Sequence, residues 1–213
     1  MRESAGAVKE AAAKSRAVIK SGPGGKASEV VRQLEELDAQ IRSCTRCPLY
    51  QSRTLAVPGE GKATAKVMII GEAPGRQEDQ TGRPFVGNSG KFLDQVLAGS
   101  GFSRADFFIT NIVKCRPPAN RTPRTKEVDT CTSLYLVRQI ALINPALIML
   151  LGGVAVKKML GLKTVEEARG RIIQHDGGRY LATYHPAVRF YREDLAAKIH
   201  EDFQLLKEEM KRL

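Results

Sequence analysis

Four apolar runs along the chain have the length and composition of buried strands. They lie at residues 66–70, 107–115, 146–151 and 180–184. Between and after them, apolar residues repeat at helical spacing over residues 28–43, 91–100, 125–143, 154–160 and 193–212. This alternation predicts a mainly parallel, four-stranded sheet with helices on both faces. A short strand over 54–57 and a loop or short hairpin over 162–179 complete the predicted elements.

Two glycine-rich turns follow the first predicted strand. The first is Gly71-Glu72-Ala73-Pro74-Gly75, and the second is Gly87-Asn88-Ser89-Gly90, which precedes a helical pattern. Open α/β sheets place their binding sites beyond the carboxyl ends of the strands, so the first turn is a candidate site. The second turn would present free N–H groups at a helix start, which suit a phosphate. Neither turn has the G-x-G-x-x-G or G-K-[ST] pattern of the common nucleotide-binding motifs.

Charge adds a preferred class of partner. The net charge is +11, from 34 Lys and Arg against 23 Asp and Glu. Such an excess favours a polyanion, most simply nucleic acid, although a basic protein without such a partner stays open. Residues 1–27 are rich in Ala, Lys and Ser and predict a flexible basic tail before a folded domain over 28–213. No apolar run reaches the roughly 18 residues of a membrane span, and no secretory signal is evident, so we expect a cytoplasmic protein without a membrane partner.

The four cysteines have a spacing that suggests one shared site. Cys44 and Cys47 form a C-x-x-C pair followed by a proline, whereas Cys115 and Cys131 are distant single residues. Structural zinc sites more often use two local pairs. One close pair with two distant ligands and a following proline favours an iron–sulfur cluster over zinc, and ordinary free thiols remain an alternative.

Four motifs in this order resemble those of the type-4, iron–sulfur uracil-DNA glycosylases. They are Gly71-Glu72-Ala73-Pro74-Gly75, Gly82-Arg83-Pro84-Phe85-Val86-Gly87, the segment from Thr110 to Pro118, and His185-Pro186-Ala187. The resemblance covers about residues 30–213. It implies a three-layer α/β/α sandwich and a [4Fe-4S] cluster held by Cys44, Cys47, Cys115 and Cys131. It also implies removal of uracil from double- or single-stranded DNA, the first step of base excision repair.

The same resemblance implies a role for individual residues around an extruded base. Phe85 would stack on uracil, Asn111 would read its hydrogen-bonding edge, and His185 would donate to O2. Glu78 would lie near C5, where it would exclude the methyl group of thymine. The residues implied to line the uracil pocket are Gly71, Glu72, Ala73, Glu78, Phe85, Asn111 and His185, with Glu72 and His185 as the catalytic pair.

One position departs from the related type-1 enzymes. Where they carry an Asp that handles the attacking water, this chain has Ala73. Catalysis should then depend mainly on stabilising the leaving group and the sugar cation, with Glu72 or backbone groups placing the water. The residues expected to contact DNA are Gly87, Asn88, Ser89, Gly90, Lys114, Arg116, Arg189 and Phe190, the last two as a wedge for the space that the base leaves.

Two functions are alternatives to a glycosylase that acts with multiple turnover. One is a uracil-DNA binding protein that traps its target covalently. The branch of the superfamily known for this carries a basic insert with a His after the second strand, and residues 116–123 of this chain contain no His. A non-catalytic iron–sulfur DNA-binding module would leave Glu72, Asn111 and His185 unexplained. We expect a monomer, and the sequence leaves open whether the basic tail binds a polymerase sliding clamp.

Overall fold

A six-stranded sheet forms the centre of the protein in the computed structural model, which describes residues 23–213. The strands are β1 (Glu60–Gly61), β2 (Val67–Gly71), β3 (Phe107–Asn111), β4 (Leu147–Leu151), β5 (Ile173–His175) and β6 (Gly178–Thr183). Their spatial order is β1-β3-β2-β4-β6-β5. The four strands in the middle run parallel, which confirms the predicted sheet, and β1 and β5 add an antiparallel edge on each side.

The edge strands differ from the predictions in instructive ways. The strand expected over 54–57 is not formed, and the short strand β1 pairs instead with β3 a few residues later. β5 and β6 form the short hairpin that residues 162–179 suggested, with β6 continuing to Thr183. An edge strand of two or three residues has little apolar content, so its position is set by pairing rather than by a pattern in the sequence.

Helices cover both faces of the sheet. The described α-helices are α1 (Pro23–Arg42), α2 (Arg76–Thr81), α3 (Asn88–Gly99), α4 (Thr125–Cys131), α5 (Val137–Ile143), α6 (Gly153–Leu160) and α7 (Glu193–Met210). Every residue of β2, β3 and β4 is buried. A strand buried on both faces reads as a continuous apolar run rather than an alternation, which is why these strands were visible in the sequence. The predicted three-layer α/β/α arrangement is confirmed.

Two helix boundaries depart from the predictions. α1 begins at Pro23 rather than at Ser28, so residues 23–27 belong to a helix and not to the expected tail. The remaining part of that tail, residues 1–22, lies outside the described residues. The helix expected over 125–143 consists of α4 and α5 joined by a π-helical turn at Thr132–Leu136, directly after Cys131.

The topology brings three loops to one edge of the sheet. β2, β3 and β6 all run parallel, so the residues after Gly71, Asn111 and Thr183 emerge on the same side. From β2 the chain moves to β3 on one side and then to β4 on the other, and such a reversal is where open α/β sheets form their crevices. None of the described helices is apolar over a stretch long enough to cross a bilayer.

Candidate functional site

A cleft of about 560 Å³ opens at this edge of the sheet. Its volume lies within the roughly 300–1,000 Å³ that is usual for small-molecule sites. Nine of the residues expected at the site line it: Glu72, Ala73, Glu78, Phe85, Gly87, Asn88, Ser89, Asn111 and His185. The loops after β2, β3 and β6 therefore meet around one space, in agreement with the observed strand order.

An aromatic ring, an amide and an imidazole face each other in this cleft. The ring centroids of Phe85 and His185 lie 5.8 Å apart, with the planes tilted by 31°. Gly71, the last residue of β2, lies between the Phe85 ring and the Asn111 amide. A Cβ atom placed on Gly71 would be 2.5 Å from both Phe85 Cζ and Asn111 Oδ1. A glycine at this position lets the ring and the amide approach each other closely.

The Asn111 carboxamide is buried and incompletely bonded. The residue is 1% exposed, and no donor within the described part of the chain reaches its Oδ1 atom. Buried polar atoms are nearly always hydrogen-bonded, so an acceptor left open in a cleft indicates a ligand that donates to it.

The hydrogen bonds of His185 define its tautomer. The backbone N–H of Ala187 donates to Nδ1 at 3.2 Å, so in the neutral ring the proton lies on Nε2. Burial lowers the pKa of His185 to about 4, an effect that the nearby Glu78 carboxylate opposes. The imidazole is therefore neutral at pH 7, and its N–H group has no acceptor within residues 23–213. Gly152, at φ +91°, permits this placement, because a Cβ there would lie 2.9 Å from His185 Cβ.

Glu78 joins the two glycine-rich turns. Its Oε1 atom accepts hydrogen bonds from the N–H groups of Val86 and Gly87 at 2.9 and 2.7 Å. Its Oε2 atom accepts one from Gly75 at 3.0 Å. The carboxylate lines the cleft but is already committed to three backbone donors, a role that its place in a charged run did not suggest. Its position beside C5 of a bound uracil stays a prediction.

Glu72 and Ala73 lie half-buried on the wall of the cleft. Burial raises the pKa of the Glu72 carboxyl group. The backbone carbonyl of Glu72 accepts a hydrogen bond from Val113, which fixes the turn against the segment that follows β3. The methyl side chain of Ala73 offers no polar group to a water molecule, so any side-chain base on this turn has to be Glu72.

The side chain of Lys114 was predicted to contact DNA, but it is buried and cannot reach it. It is 1% exposed, and its ammonium group donates to Thr110 Oγ1 at 2.6 Å, to the Asn111 carbonyl at 2.8 Å and to Gln139 Oε1 at 2.7 Å. All three donors are used inside the protein, so no hydrogen bond remains for a phosphate. Lys114 instead fixes the backbone of the residue that carries the open amide.

Of the other residues expected to contact DNA, three line the cleft and the rest lie in segments next to lining residues. Asn88 and Ser89 line it at the start of α3, while Gly87 and Gly90 are buried in the same turn. Arg116 is partly exposed and donates to Asn120 Oδ1 at 2.7 Å.

Two exposed residues lie on the turn after His185. Phe190 is 57% exposed, and the Arg189 guanidinium lies 5.0 Å from the centroid of the Phe92 ring. Tyr191, next to them, is 69% exposed and reaches the cleft. A large exposed aromatic beside a concave site is consistent with the predicted wedge.

Sequence reasoning missed Asn120 as a cleft residue. It and Ala119 have positive φ values of 53° and 52°, an uncommon conformation for residues other than glycine. Asparagine tolerates this conformation well, and a Pro-Pro-Ala-Asn segment after a strand is a turn signal that could have identified the loop.

All four cysteines surround one small cavity between α1, α4 and the segment after β3. They are free thiols. Hydrogen bonds reach three of the sulfur atoms, from Arg46 N to Cys44 at 3.4 Å, from Arg53 Nη1 to Cys115 at 3.0 Å, and from Lys114 N to Cys131 at 3.3 Å. Donors around sulfur stabilise thiolates, the form that binds metal.

A single metal ion fits the four cysteines less well than an iron–sulfur cluster does. Within residues 23–213, no three His, Cys, Asp or Glu side chains converge closely enough to hold one ion. Zinc would require its ligand atoms within about 2.3 Å of one point. In an iron–sulfur cluster each thiolate binds a different iron atom, so the four sulfur atoms around the cavity would not have to converge on one point.

Comparison with known proteins gives a consistent family. Residues 58–210 match the model of the uracil DNA glycosylase superfamily. The chain is 38% identical over 187 residues to a type-4 uracil-DNA glycosylase of Archaeoglobus fulgidus, covering 84% of this chain and 94% of that protein. It is 42% identical to the type-4 enzyme of Saccharolobus solfataricus, covering 82% of this chain and 85% of that protein. For the type-4 enzyme of Thermotoga maritima the identity is 39%, over 84% and 95% of the two chains. The motifs, the sheet and these similarities together establish that the chain belongs to the uracil-DNA glycosylase superfamily, in its type-4 group.

Proposed function

We propose that this protein is a monofunctional uracil-DNA glycosylase that hydrolyses the N-glycosidic bond of deoxyuridine in DNA after base flipping, the step that starts base excision repair. The observation that carries the proposal is the convergence of Phe85, Asn111 and His185 in one cleft. The Asn111 acceptor is open, and the imidazole has a single N–H group to donate. A net charge of +11 suits the DNA substrate.

Base selection follows from the Asn111 amide. Its open Oδ1 atom can accept from uracil N3–H, while its NH₂ group can donate to O4. Cytosine presents an acceptor and a donor at these two positions, so both contacts would be repulsive. The Phe85 ring supplies a stacking surface next to the amide, and Glu78 limits the space on the same wall.

Bond breaking depends on charge at the uracil ring. As the bond from the sugar to N1 breaks, its electron pair leaves with uracil, and negative charge develops on O2. The His185 Nε2–H group would donate to that oxygen, and its low pKa keeps the ring neutral before and during the reaction. Removing one such donor typically costs about 3 kcal/mol in activation free energy.

Water completes the hydrolysis at the sugar. It attacks C1′ of the cation and loses a proton, which yields an abasic site. Glu72 is the candidate base, because its half-buried carboxyl group lines the cleft and burial raises its pKa. Backbone carbonyls of the same turn are the alternative for placing the water, since Ala73 lacks a polar group.

DNA binding would use the rim of the cleft. At the start of α3, the N–H groups of Asn88, Ser89 and Gly90 can bind a phosphate beside the flipped nucleotide, whereas the N–H group of Gly87 already donates to Glu78. Arg116 can contact the backbone on the side of the β3 loop. Arg189 and the exposed Phe190 can fill the space that the base leaves in the duplex.

The four cysteines would hold a [4Fe-4S] cluster. Their free thiols surround one cavity, and three of the sulfur atoms receive hydrogen bonds, which fits thiolate ligands of a cluster better than four ligands of one zinc ion. When bound, the cluster supplies cross-links between chain segments rather than chemistry at the base. Cys115 and Cys131 would thereby attach the segment after Asn111 to α4, while Cys44 and Cys47 attach it to the end of α1.

Residues 28–213 would act as one glycosylase domain and as a monomer, with the basic residues at the start of the chain adding non-specific attraction to DNA. Binding of that segment to a polymerase sliding clamp is a further hypothesis that a pull-down with the clamp would test.

The test uses oligonucleotides with U:G, U:A, T:G and single-stranded U, followed for free base, abasic site and crosslinked protein. Multiple-turnover release of uracil but not thymine is the expected result. A stoichiometric adduct would instead indicate a covalent trap, and retention without either product a binding module. His185→Asn should lose most of the activity. His175→Asn is the matched control, because His175 lies partly exposed in the β5 strand, outside the cleft.

A further inference from the structure

Phe85 has a backbone conformation that its side chain does not favour. Its φ angle is +51°, in the left-handed region that glycine and asparagine usually occupy. A bulky residue stays in this region only when its surroundings hold it there, and such positions cluster at functional sites. The conformation matters here because it directs the phenyl ring into the cleft beside Asn111 and His185.

Arg104 bonds to one backbone carbonyl on each side of the Phe85 Cα atom. It lies in the turn Arg104–Asp106 before β3, outside the cleft lining. Its Nη2 atom donates to the Pro84 carbonyl at 2.6 Å, and its Nη1 atom donates to the Phe85 carbonyl at 2.9 Å. Nη1 also donates to Asp94 Oδ1 at 3.0 Å, which anchors the guanidinium on α3. The side chain is 21% exposed, so water competes weakly for these bonds.

Glu78 bonds to the backbone on the carboxyl side of Phe85. The Glu78 carboxylate accepts hydrogen bonds from the backbone N–H groups of Val86 and Gly87. The Arg104 cation therefore binds two successive carbonyl groups, and the Glu78 anion binds the two N–H groups that follow them. The Phe85 carbonyl also lies against the first turn of α3, because a Cβ at Gly90 would be 1.9 Å from that oxygen. Arg104 thus fixes the peptide group before Phe85 through the Pro84 carbonyl. The peptide group after Phe85 is held at both ends, by Arg104 at its carbonyl and by Glu78 at the Val86 N–H group.

We propose that Arg104 is a positioning residue for base stacking, which holds Phe85 in its left-handed conformation through the Pro84 and Phe85 carbonyls. The proposal rests on the proposed function, because it assigns the stacking surface to the Phe85 ring. Arg104 itself does not touch the base. Without it, residue 85 can return to a common φ value, and the ring then leaves the wall of the uracil site.

Arg104→Met removes the hydrogen bonds and the charge while retaining an unbranched side chain. Since misplacement of a binding group by about 1 Å can cost up to about 100-fold, we expect kcat/KM for a single-stranded uracil oligonucleotide to fall about 10- to 100-fold. Inhibition by free uracil should weaken as well. Arg104→Lys, which keeps the charge and one donor direction, should recover part of the loss.

Arg83→Met is the matched control. Arg83 lies two residues before Phe85, has a side chain that is 60% exposed and pairs with Glu60 rather than with the Phe85 backbone. This variant should stay within about twofold of the wild-type kcat/KM, since exposed ion pairs contribute little. Equal losses in Arg83→Met and Arg104→Met would overturn the proposal, because they would reflect the surface charge of the loop.

A double-mutant cycle tests whether Arg104 acts through the ring. In a Phe85→Ala background, Arg104→Met should cause almost no further loss of kcat/KM, since the ring that it positions is already absent. Multiplicative losses would contradict the proposal. If the wild-type protein releases no uracil, the proposed function is wrong. If the wild type is active and Arg104→Met has an unchanged kcat/KM, only this inference is wrong.

A crystal structure of Arg104→Met gives a readout that does not depend on activity. The expected result is that φ of residue 85 leaves the left-handed region and that the ring moves away from Asn111. A ring that keeps its place at a φ near +51° would overturn the proposal.

Discussion

Replacement of Gly71 by alanine tests the geometry of the cleft with a single methyl group. Gly71 ends β2 and pairs in register with Asn111 of β3. Its Cβ would lie 2.5 Å from Asn111 Oδ1, 2.5 Å from Phe85 Cζ and 2.9 Å from Phe85 Cε2. Carbon atoms normally approach to about 3.5–4.0 Å, so the ring or the amide has to move by about 1 Å. The backbone φ of Gly71 suits alanine, so the whole effect comes from packing.

The size of the effect follows from the cost of overpacking. An added methyl group in a close-packed site costs typically about 1–3 kcal/mol. β2 lies between two paired strands and cannot retreat, so the displacement falls on the two side chains that would bind uracil. At about 1.36 kcal/mol per factor of ten, we expect kcat/KM for uracil excision to fall about 5- to 150-fold.

Steady-state kinetics on a single-stranded uracil oligonucleotide, together with a thermal unfolding curve, measures this prediction. Gly99→Ala is the control, because a Cβ at Gly99 meets no atom within 4 Å and the residue ends α3 away from the cleft. It should keep wild-type kcat/KM. Wild-type kcat/KM in Gly71→Ala, with the Phe85 ring and the Asn111 amide unmoved in a crystal structure, would refute the close approach of these groups.

Three further predictions address the amide, the imidazole and the cysteines. Asn111→Asp should weaken uracil preference and allow some excision of cytosine, measured with U- and C-containing oligonucleotides; unchanged base choice would contradict edge reading by this residue. The pKa of His185 is lowered to about 4, against about 6.5 in the unfolded chain, so the unfolded state binds the extra proton between these values. The free energy of unfolding should therefore fall as pH drops from about 6.5 to 4, by at most about 3 kcal/mol because the cleft side stays open to water, and this component should vanish in His185→Asn. Cys47→Ser should remove the brown colour and the bound iron of the purified protein, measured by absorption and metal analysis; a colourless wild type that contains zinc would contradict the cluster.

The central sheet could be predicted because its strands are buried on both faces. Val67–Gly71 and Leu147–Leu151 contain almost only apolar residues, so their pattern could not be confused with that of a surface strand. The edge strand Glu60–Gly61 left no comparable signal, since its two residues are exposed or half-buried and their pairing depends on β3.

Site residues could be predicted in type but not always in role. Asn111 ends β3 and His185 follows β6, and both strands end at one edge of the sheet, so the meeting of these residues in the cleft follows from topology. The burial of Lys114 could not be predicted from neighbouring residues, because one of the oxygen atoms that accept its hydrogen bonds belongs to Gln139, which is 25 residues away. Arg104 was missed for the same reason, since its partners are backbone carbonyls 19 and 20 residues earlier.

The position of Lys114 has a consequence for how the protein matures in a cell. A stretch of six residues, from Thr110 to Cys115, contains the open amide, a buried ammonium group bonded to the same backbone, and a cysteine of the shared cavity. If the cysteines bind a cluster as proposed, a newly synthesised chain that has not received iron would lack the anchor at Cys115, at the end of the stretch that carries the uracil-reading amide. Iron supply would then set the number of repair-competent molecules, so starvation for the metal would raise the burden of deaminated cytosine at constant protein abundance.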